Sequence, residues 1–162
     1  MPTRTAGVRK RLKAVAPRNG SHYAAPRAYA AERWARAVAA VVDSPDDPRT
    51  LEAWGRMAAA GRGTLRSWCR AAQIPAKASL AFARLLRAIV QSQGASWDPQ
   101  NTLDIVDQRT LKRLFDRGGL PDGDARTLPP SCEHFLSRQR LVSHAAALRA
   151  VAALVPAARS PK

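Results

Sequence analysis

The sequence predicts an all-α fold: a helix-turn-helix bundle in which two such units are joined by a long linker helix and followed by a C-terminal helix. Two observations lead to this prediction. Apolar residues recur at helical spacing in successive segments of the chain. Stretches that contain proline or glycine, at 44–48, 61–63 and 118–119, separate those segments. The length of 162 residues favours one compact core with tails.

Residues 1–25 are predicted to be a disordered basic tail, because they contain six basic residues and no acidic residue. Two interpretations of this tail are about equally favoured: a segment that contacts nucleic acid and a solvated segment without a role. A mitochondrial transit peptide is a third, less favoured interpretation. If the tail contacts phosphates, the candidate residues are Arg9, Lys10, Arg11 and Lys13.

The segment 26–42 is predicted to be the first helix of a domain that covers residues 26–120. Asp47 is placed to cap a second helix from Pro48 to about Ala59, since proline at the first helical position loses no hydrogen bond. The inward residues of the first helix are expected to be Tyr29, Trp34, Ala37, Val38, Val41 and Val42, and those of the second Leu51, Trp54, Gly55 and Ala58. The carboxylates of Asp43, Asp46 and Asp47 are explained by capping rather than by catalysis.

A tight turn at Gly61-Arg62-Gly63 is predicted to lead into a third helix, Thr64 to Ala72. A helix, a glycine-containing turn and a second helix form the helix-turn-helix pattern. The expected inward residues are Leu65, Trp68, Cys69 and Ala72, which leaves Arg62, Arg66, Ser67, Arg70 and Gln73 facing outward without an acidic residue. Arginine pairs with guanine and glutamine with adenine, so this edge suits DNA. A structural hairpin with a solvated arginine-rich face is the alternative.

The segment 76–93 is predicted to be a long helix of roughly 27 Å. A supporting helix expected near Trp97 is interrupted by Asp98-Pro99, which leaves Thr102 to Val106. The next helix is predicted to be capped by Asp107, to bury Leu111, Leu114 and Phe115, and to stop at Gly118-Gly119.

Two of these helices carry similar sequences. Thr64 to Arg70 matches Thr110 to Asp116 in its Thr-Leu pair, in the basic residue that follows, and in apolar residues three and four positions beyond the leucine. If a stiff helix joins two such units, each unit can enter one of two successive major grooves on the same side of a duplex, which repeat about every 34 Å.

This arrangement resembles the DNA-binding domain of the AraC/XylS family of bacterial regulators over residues 48–120. Leu111-Lys112-Arg113-Leu114-Phe115 is similar to the family's Leu-x-Arg-x-Phe signature, whereas the first unit reads Leu65-x-Ser67-x-Cys69 and has Gly61 where the family has a capping serine. The shortened supporting helix departs from the family pattern and indicates a degenerate second unit. The resemblance implies base contacts by Gly63, Arg66 and Ser67 in the first unit and by Arg109, Lys112 and Arg113 in the second.

The candidate DNA contacts are therefore grouped on two helices. They are Arg62, Gly63, Thr64, Arg66, Ser67 and Arg70 on the first, and Gln108, Arg109, Lys112 and Arg113 on the second.

A linker at 121–130 is predicted to precede a C-terminal helical segment at 131–156. Its helix is expected to be capped by Ser131 and to run from Cys132 to about Val155. A short tail at 157–162 follows. The spacing of Leu141, His144, Leu148, Val151 and Val155 is heptad-like. It is compatible with a homodimer seam, but packing on the chain's own core is favoured.

The formal net charge of +15 indicates a polyanionic partner, although a compositional bias alone is an alternative. Only two cysteines are present, Cys69 and Cys132, and Cys69 is expected on the apolar face of a helix, so no disulfide framework is expected. Cys132, His134 and His144 fit no closed zinc site. No catalytic or cofactor-binding motif is present, so no enzyme activity and no cofactor are expected. The chain lacks an apolar run that would cross a bilayer or act as a secretion signal, so a cytoplasmic location and no membrane partner are expected.

The function predicted from the sequence is that of a transcription regulator that binds double-stranded DNA in the bacterial cytoplasm, with RNA polymerase or another regulator as a further partner. A sequence-indifferent nucleoid or RNA-binding protein and a basic protein-interaction adaptor are the alternatives. RNA is disfavoured because Trp34, Trp54 and Trp68 are all expected on apolar faces.

Overall fold

The computed structural model describes residues 24–92, 98–120, 131–141 and 145–155. Within these ranges the chain is all helical, which confirms the predicted fold class. The helices are α1 (Ala24–Val42), α2 (Leu51–Met57), α3 (Arg62–Ala71), α4 (Ala76–Gln91), α5 (Pro99–Leu103), α6 (Gln108–Arg117), α7 (Cys132–Ser137) and α8 (Ala145–Leu154). The predicted tails at 1–25 and 157–162 and the linker at 121–130 lie outside the described residues, apart from the start of α1.

Helices α1 and α4 form the centre of a single apolar core. The Trp34 ring of α1 lies 5.6 Å from the Phe82 ring of α4, and Phe135 of α7 lies 5.3 Å beyond Phe82, centroid to centroid. The Trp34 indole N–H donates to the hydroxyl of buried Ser79 at 2.9 Å, so the one polar atom of that side chain is satisfied. Helix α8 packs on α1, so the last described residues belong to the same core as the first.

One member of the predicted inward face of α1 lies elsewhere. Tyr29 is 56% exposed rather than buried. The buried face of α1 is formed by the stripe that contains Trp34, Val38 and Val41, and Tyr29 lies at its edge. Its hydroxyl accepts a hydrogen bond from Arg33 Nε at 2.8 Å, and the guanidinium lies 5.0 Å from the ring centroid.

Helix α2 begins later than predicted, because its cap is Thr50 and not Asp47. The Thr50 hydroxyl accepts from the backbone N–H of Ala53 at 3.1 Å. Asp47 instead pairs with Arg84 of α4, whose Nε lies 2.9 Å from one carboxylate oxygen, and both side chains are 11% exposed. The predicted cap was wrong because this distant arginine binds the carboxylate.

The turn between α2 and α3 is formed by residues 58–61 and not by Gly61-Arg62-Gly63, which was the predicted turn. Ala59 has a positive φ of 48°, and Ala60 N–H donates to Gly55 O at 2.8 Å, the pattern of a Schellman cap. A β-carbon at Gly55 would lie 2.6 Å from the carbonyl oxygen of Ala60, which explains why glycine stands there. Gly61 is the N-cap of α3, so Arg62 and Gly63 are helical.

The second pair of helices has the same connection length. Four residues, 104–107, separate α5 from α6, as four residues separate α2 from α3. We refer to α2–α3 as the first unit and to α5–α6 as the second unit. Asp98 accepts from the N–H of Gln100 at 2.9 Å, so Asp98-Pro99 begins α5 rather than interrupting it, and the predicted continuation to Val106 was wrong.

The predicted start and stop of α6 are confirmed. Asp107 accepts from the N–H and the hydroxyl of Thr110, both at 2.8 Å. Gly119 has a φ of 92°, and Leu120 N–H donates to Phe115 O at 3.0 Å in a further Schellman cap.

Two arginines of α4 connect α4 to the segment before the first unit and to α5 of the second unit. Arg87 is buried, and its guanidinium donates to the carbonyl oxygens of Ser44 and Pro45 before the first unit and to that of Thr102 in α5. Arg84 donates to Leu103 O at 3.2 Å in addition to its pairing with Asp47. Burial lowers the pKa of Arg87, an effect that the nearby Asp47 carboxylate opposes. No local pattern in the sequence indicated this arrangement.

The C-terminal helix is not continuous. Residues 138–141 lie between α7 and α8 outside any helix, and the Arg140 N–H donates to Gly119 O at 3.3 Å. Val151 and Val155, two residues of the heptad-like stripe, are buried in the core that α8 shares with α1. This corresponds to the favoured interpretation of packing within the chain, and His144 lies outside the described residues.

Candidate nucleic-acid interface

Helix α3 presents the first set of candidate contacts to solvent. Its inward side is formed by buried Leu65 and Cys69. Three arginines spaced by four residues lie along the exposed side, and the helix contains no acidic residue. Among the described residues no carboxylate lies within ion-pair distance of these arginines. All six candidates are exposed: Arg62, Gly63, Thr64, Arg66, Ser67 and Arg70.

The first turn of α3 has an open N-terminus. Its cap residue, Gly61, has no side chain to accept from the backbone N–H groups of the turn, and a β-carbon at Gly63 would meet nothing within 4 Å. The backbone of this turn is therefore accessible, which suits the close approach of a phosphate or a base edge.

Helix α6 presents the second set in the same way. Gln108, Arg109, Lys112 and Arg113 are exposed, and the inward side is formed by Leu111, Leu114 and Phe115. Lys112 lies 3.6 Å from the carboxylate of Asp116 one turn later. The hydrogen bonds from Thr110 hold the pKa of Asp107 below its usual range, so this cap is a charged carboxylate at neutral pH.

The two exposed helices correspond residue by residue over an offset of 46 positions. Each is ten residues long, and buried Leu65 and Cys69 match buried Leu111 and Phe115. The correspondence includes the positive-φ residue after each helix, Gln73 in the first unit and Gly119 in the second. The similarity that the sequence indicated over seven residues thus extends through the end of each helix.

A groove of about 410 Å³ lies between the two units, with α4 beneath it. The floor is apolar and includes Leu80, Ala81 and Leu114. Six basic side chains and one acidic side chain line the walls: Arg49, Arg62, Arg66, Lys77, Arg84, Arg117 and Glu52.

Several of the groove's charges are paired. Arg49 pairs with Asp104, Arg84 with Asp47, and Glu52 with Arg56 at 3.1 Å. Four cations remain without a carboxylate partner among the described residues: Arg62, Arg66, Lys77 and Arg117. The groove is therefore an electropositive surface shared by α3, α4 and α6.

The structure brings together some of the predicted residues and not others. Arg62 and Arg66 share the groove, and Arg66 and Arg70 line a second, shallower hollow with Gln73. The α6 candidates lie outside both. Lys77 and Arg117 were not predicted, because their proximity to α3 depends on packing between segments far apart in sequence. The tail candidates Arg9, Lys10, Arg11 and Lys13 lie outside the described residues.

The remaining reactive side chains are dispersed. Cys69 and Cys132 are both buried free thiols; burial raises the pKa of each, and in Cys69 a hydrogen bond with Ser79 opposes the rise. His134 is exposed, two residues from Cys132. Over the described ranges no three His, Cys, Asp or Glu residues are grouped as metal ligands would be.

Within the described residues, none of the helices combines the length and the apolar character that crossing a membrane requires. Comparison with protein-family models, with curated proteins and with solved structures finds no match to this chain.

Proposed function

We propose that this protein binds double-stranded DNA and regulates transcription, with α3 and α6 as the helices that enter the major groove. The observation that carries the proposal is the exposed side of α3, where three arginines at four-residue spacing face solvent and no carboxylate of the described residues lies within ion-pair distance. Such a stripe provides both phosphate contacts and bidentate contacts to guanine. The preceding helix and four-residue connection set its angle to the core.

The positions of the groove residues on each helix support a common DNA-facing side. At 3.6 residues per turn, Arg62 and Arg66 lie on one flank of the exposed side of α3, whereas Arg117 lies on the opposite flank of the exposed side of α6. Two helices that run in the same direction, with their exposed sides on one face of the protein, present opposite flanks to each other. The positions of the groove residues agree with that arrangement, which contact with one face of a duplex requires.

The aromatic side chains favour duplex DNA over single-stranded RNA. Trp34 and Trp54 are fully buried, and each donates its indole N–H inside the core. Trp68 is half-buried, with the Arg33 guanidinium 6.0 Å from its ring. Single-stranded recognition depends on exposed rings that stack on bases. Tyr29 is the one large aromatic ring exposed among the described residues, and it is in contact with Arg33.

The test is selection of binding sites from a random duplex library at near-physiological salt, with the wild type and three variants. Arg66→Ala and Lys112→Ala each remove one exposed cation from a proposed recognition helix. Arg149→Ala is the matched control, because Arg149 is an exposed mid-helix arginine on α8, which packs on α1. We expect each recognition variant to lose about 1–3 kcal/mol of binding free energy and discrimination at specific base pairs. The control should select the wild-type motif.

Different outcomes identify the alternatives. An enriched motif with two half-sites about one helical turn apart supports reading by both units. A motif that changes only in the Arg66 variant indicates that the second unit does not read bases. Binding without enrichment, weakened equally by every lost cation, contradicts regulation at defined sites and indicates a nucleoid-type protein. Absence of duplex binding contradicts the proposal and favours a protein-interaction adaptor.

A further inference from the structure

We infer that the groove between α3 and α6 is a phosphate-binding site for the DNA backbone, and that Lys77 and Arg117 are its principal contacts. The inference rests on the proposed function and extends it, because neither residue belongs to a recognition surface predicted from the sequence. Lys77 lies near the start of α4 and Arg117 at the end of α6, and both are exposed on the wall of the groove.

The charge of the groove points to an anion. Four of its cations have no carboxylate partner in the described part of the chain, and they come from three different helices. Uncompensated cations around one depression repel each other, and a bound polyanion removes that repulsion. The single acidic residue of the wall, Glu52, already pairs with Arg56.

The position of the groove identifies the anion as the sugar-phosphate backbone. When two helices enter successive major grooves on one face of a duplex, the surface between them faces the minor groove and the two strands that border it. The groove occupies that place, since Arg62 and Arg66 of α3 form one wall and Arg117 of α6 the other. The side chains of Leu80 and Leu114, which lie beneath these cations, are apolar and cannot form a hydrogen bond with a base edge. Backbone contact without sequence reading is therefore the role that fits Lys77 and Arg117.

The experiment measures binding of the full chain to its selected duplex and to a scrambled duplex over a salt series. The variants are Lys77→Gln, Arg117→Gln and the double substitution, with Arg149→Gln as the matched control. Each lost phosphate contact should lower the magnitude of the negative slope of log K against log salt concentration by about 0.9. For the double variant, the magnitude of the slope should therefore be lower by about 1.8 than that of the wild type. The Kd values on both duplexes should rise by the same factor, which leaves their ratio unchanged. Glu52→Gln should lower both Kd values, because it removes the negative charge from the same wall.

Two results would overturn the inference: a double variant with the salt slope of the Arg149→Gln control, or a loss confined to the selected duplex, which indicates base contact. Circular dichroism and thermal melting are used to check that each variant is folded, which we expect because the substituted side chains are exposed. The outcome is separable from that of the proposed function. A wild type without sequence preference contradicts the proposed function, yet the slope on the scrambled duplex still tests the groove.

Discussion

In the first unit, Trp54 fixes α2 to the apolar core, whereas in the second unit two arginines of α4 bind the end of α5 through its carbonyl oxygens. The Trp54 side chain is fully buried, and its indole N–H donates to Ala37 O of α1 at 2.7 Å. The five-residue α5 is bound by Arg84 and Arg87 instead. The comparison shows that two units with matching exposed helices are attached differently: α2 by a buried tryptophan, and α5 by buried Leu103 together with charged hydrogen bonds from α4.

The difference extends to the helix ends. Helix α6 begins at a charged cap, Asp107, and is followed by Gly119 in the left-handed conformation. Helix α3 begins at Gly61, which has no capping side chain, and is followed by Gln73 in that conformation. The exposed helix of the first unit therefore depends more on the core beneath it than on its own caps.

The largest effect is expected for Trp54→Ala. Truncation of a fully buried tryptophan leaves a cavity and removes the hydrogen bond of its indole N–H to the Ala37 carbonyl, which should lower the free energy of unfolding by about 3–5 kcal/mol. Chemical denaturation measures the loss. Hydrogen exchange should show faster exchange in α2 and α3 than in α6, and equal acceleration in both units would contradict the separate support that we describe.

A smaller loss, of about 2–4 kcal/mol, is expected for Arg87→Met. The substitution keeps an apolar stem of similar length but leaves the carbonyls of Ser44, Pro45 and Thr102 without their charged donor. Here α5 should lose its exchange protection before the first unit does. A variant as stable as the wild type would show that water or a neighbouring donor replaces the guanidinium.

Ala59→Gly should increase stability by about 0.5–1 kcal/mol. Ala59 has a φ of 48°, a conformation in which a β-carbon costs roughly 1–2 kcal/mol. Glycine removes this cost, but it also loses more conformational entropy on folding, so the net stabilisation is smaller than the cost removed. Thermal melting measures the change, with Ala152→Gly, at an exposed position inside α8, as a control that should be destabilising. A decrease in melting temperature for Ala59→Gly would contradict the assignment of the turn to residues 58–61.

The smallest effect is a pH dependence at the cap of α6. Because the folded-state pKa of Asp107 is lowered, its charged form contributes stability above the unfolded-state pKa, and this contribution disappears as the pH falls through the folded-state pKa. Asp107→Ser keeps a capping oxygen that does not titrate, so its melting temperature should fall less steeply than that of the wild type on acidification. Gly61→Ser, which adds the missing cap to α3, should gain a few tenths of a kcal/mol without this pH dependence. If the melting temperatures of the wild type and of Asp107→Ser fell in parallel on acidification, the proposed role of the carboxylate would be contradicted.

Local signals in the sequence predicted most of the helices and the exposed candidates. The periodicity of α3 and α4, the Asp107 cap and the Gly118-Gly119 stop are encoded within a few residues of each feature, and the structure agrees with them. The failures involve partners distant in sequence. Asp47 has the pattern of a cap but binds Arg84, 37 positions away.

The same reason explains the part of the candidate site that the sequence did not reveal. The break after α7 coincides with contact to Gly119, since Arg140 donates to its carbonyl oxygen. Lys77 and Arg117 share a groove with α3 only because α4 and α6 pack together. Helical periodicity identifies the face on which a residue lies, but it does not identify which faces of separate helices become neighbours.

The length of α4 has a consequence for the shape of a bound duplex. Its 16 residues span roughly 24 Å, and both exposed helices pack on it, so their separation is limited by that span. Successive major grooves of straight DNA are about 34 Å apart. Arg84 and Arg87 bind both the end of α5 and residues 44–47, the segment that precedes α2, which holds the second unit and the start of the first close to α4. Under the proposed function, we therefore expect a duplex that engages both helices to curve toward the protein, and the electrophoretic mobility of fragments with the site at different positions would report that curvature.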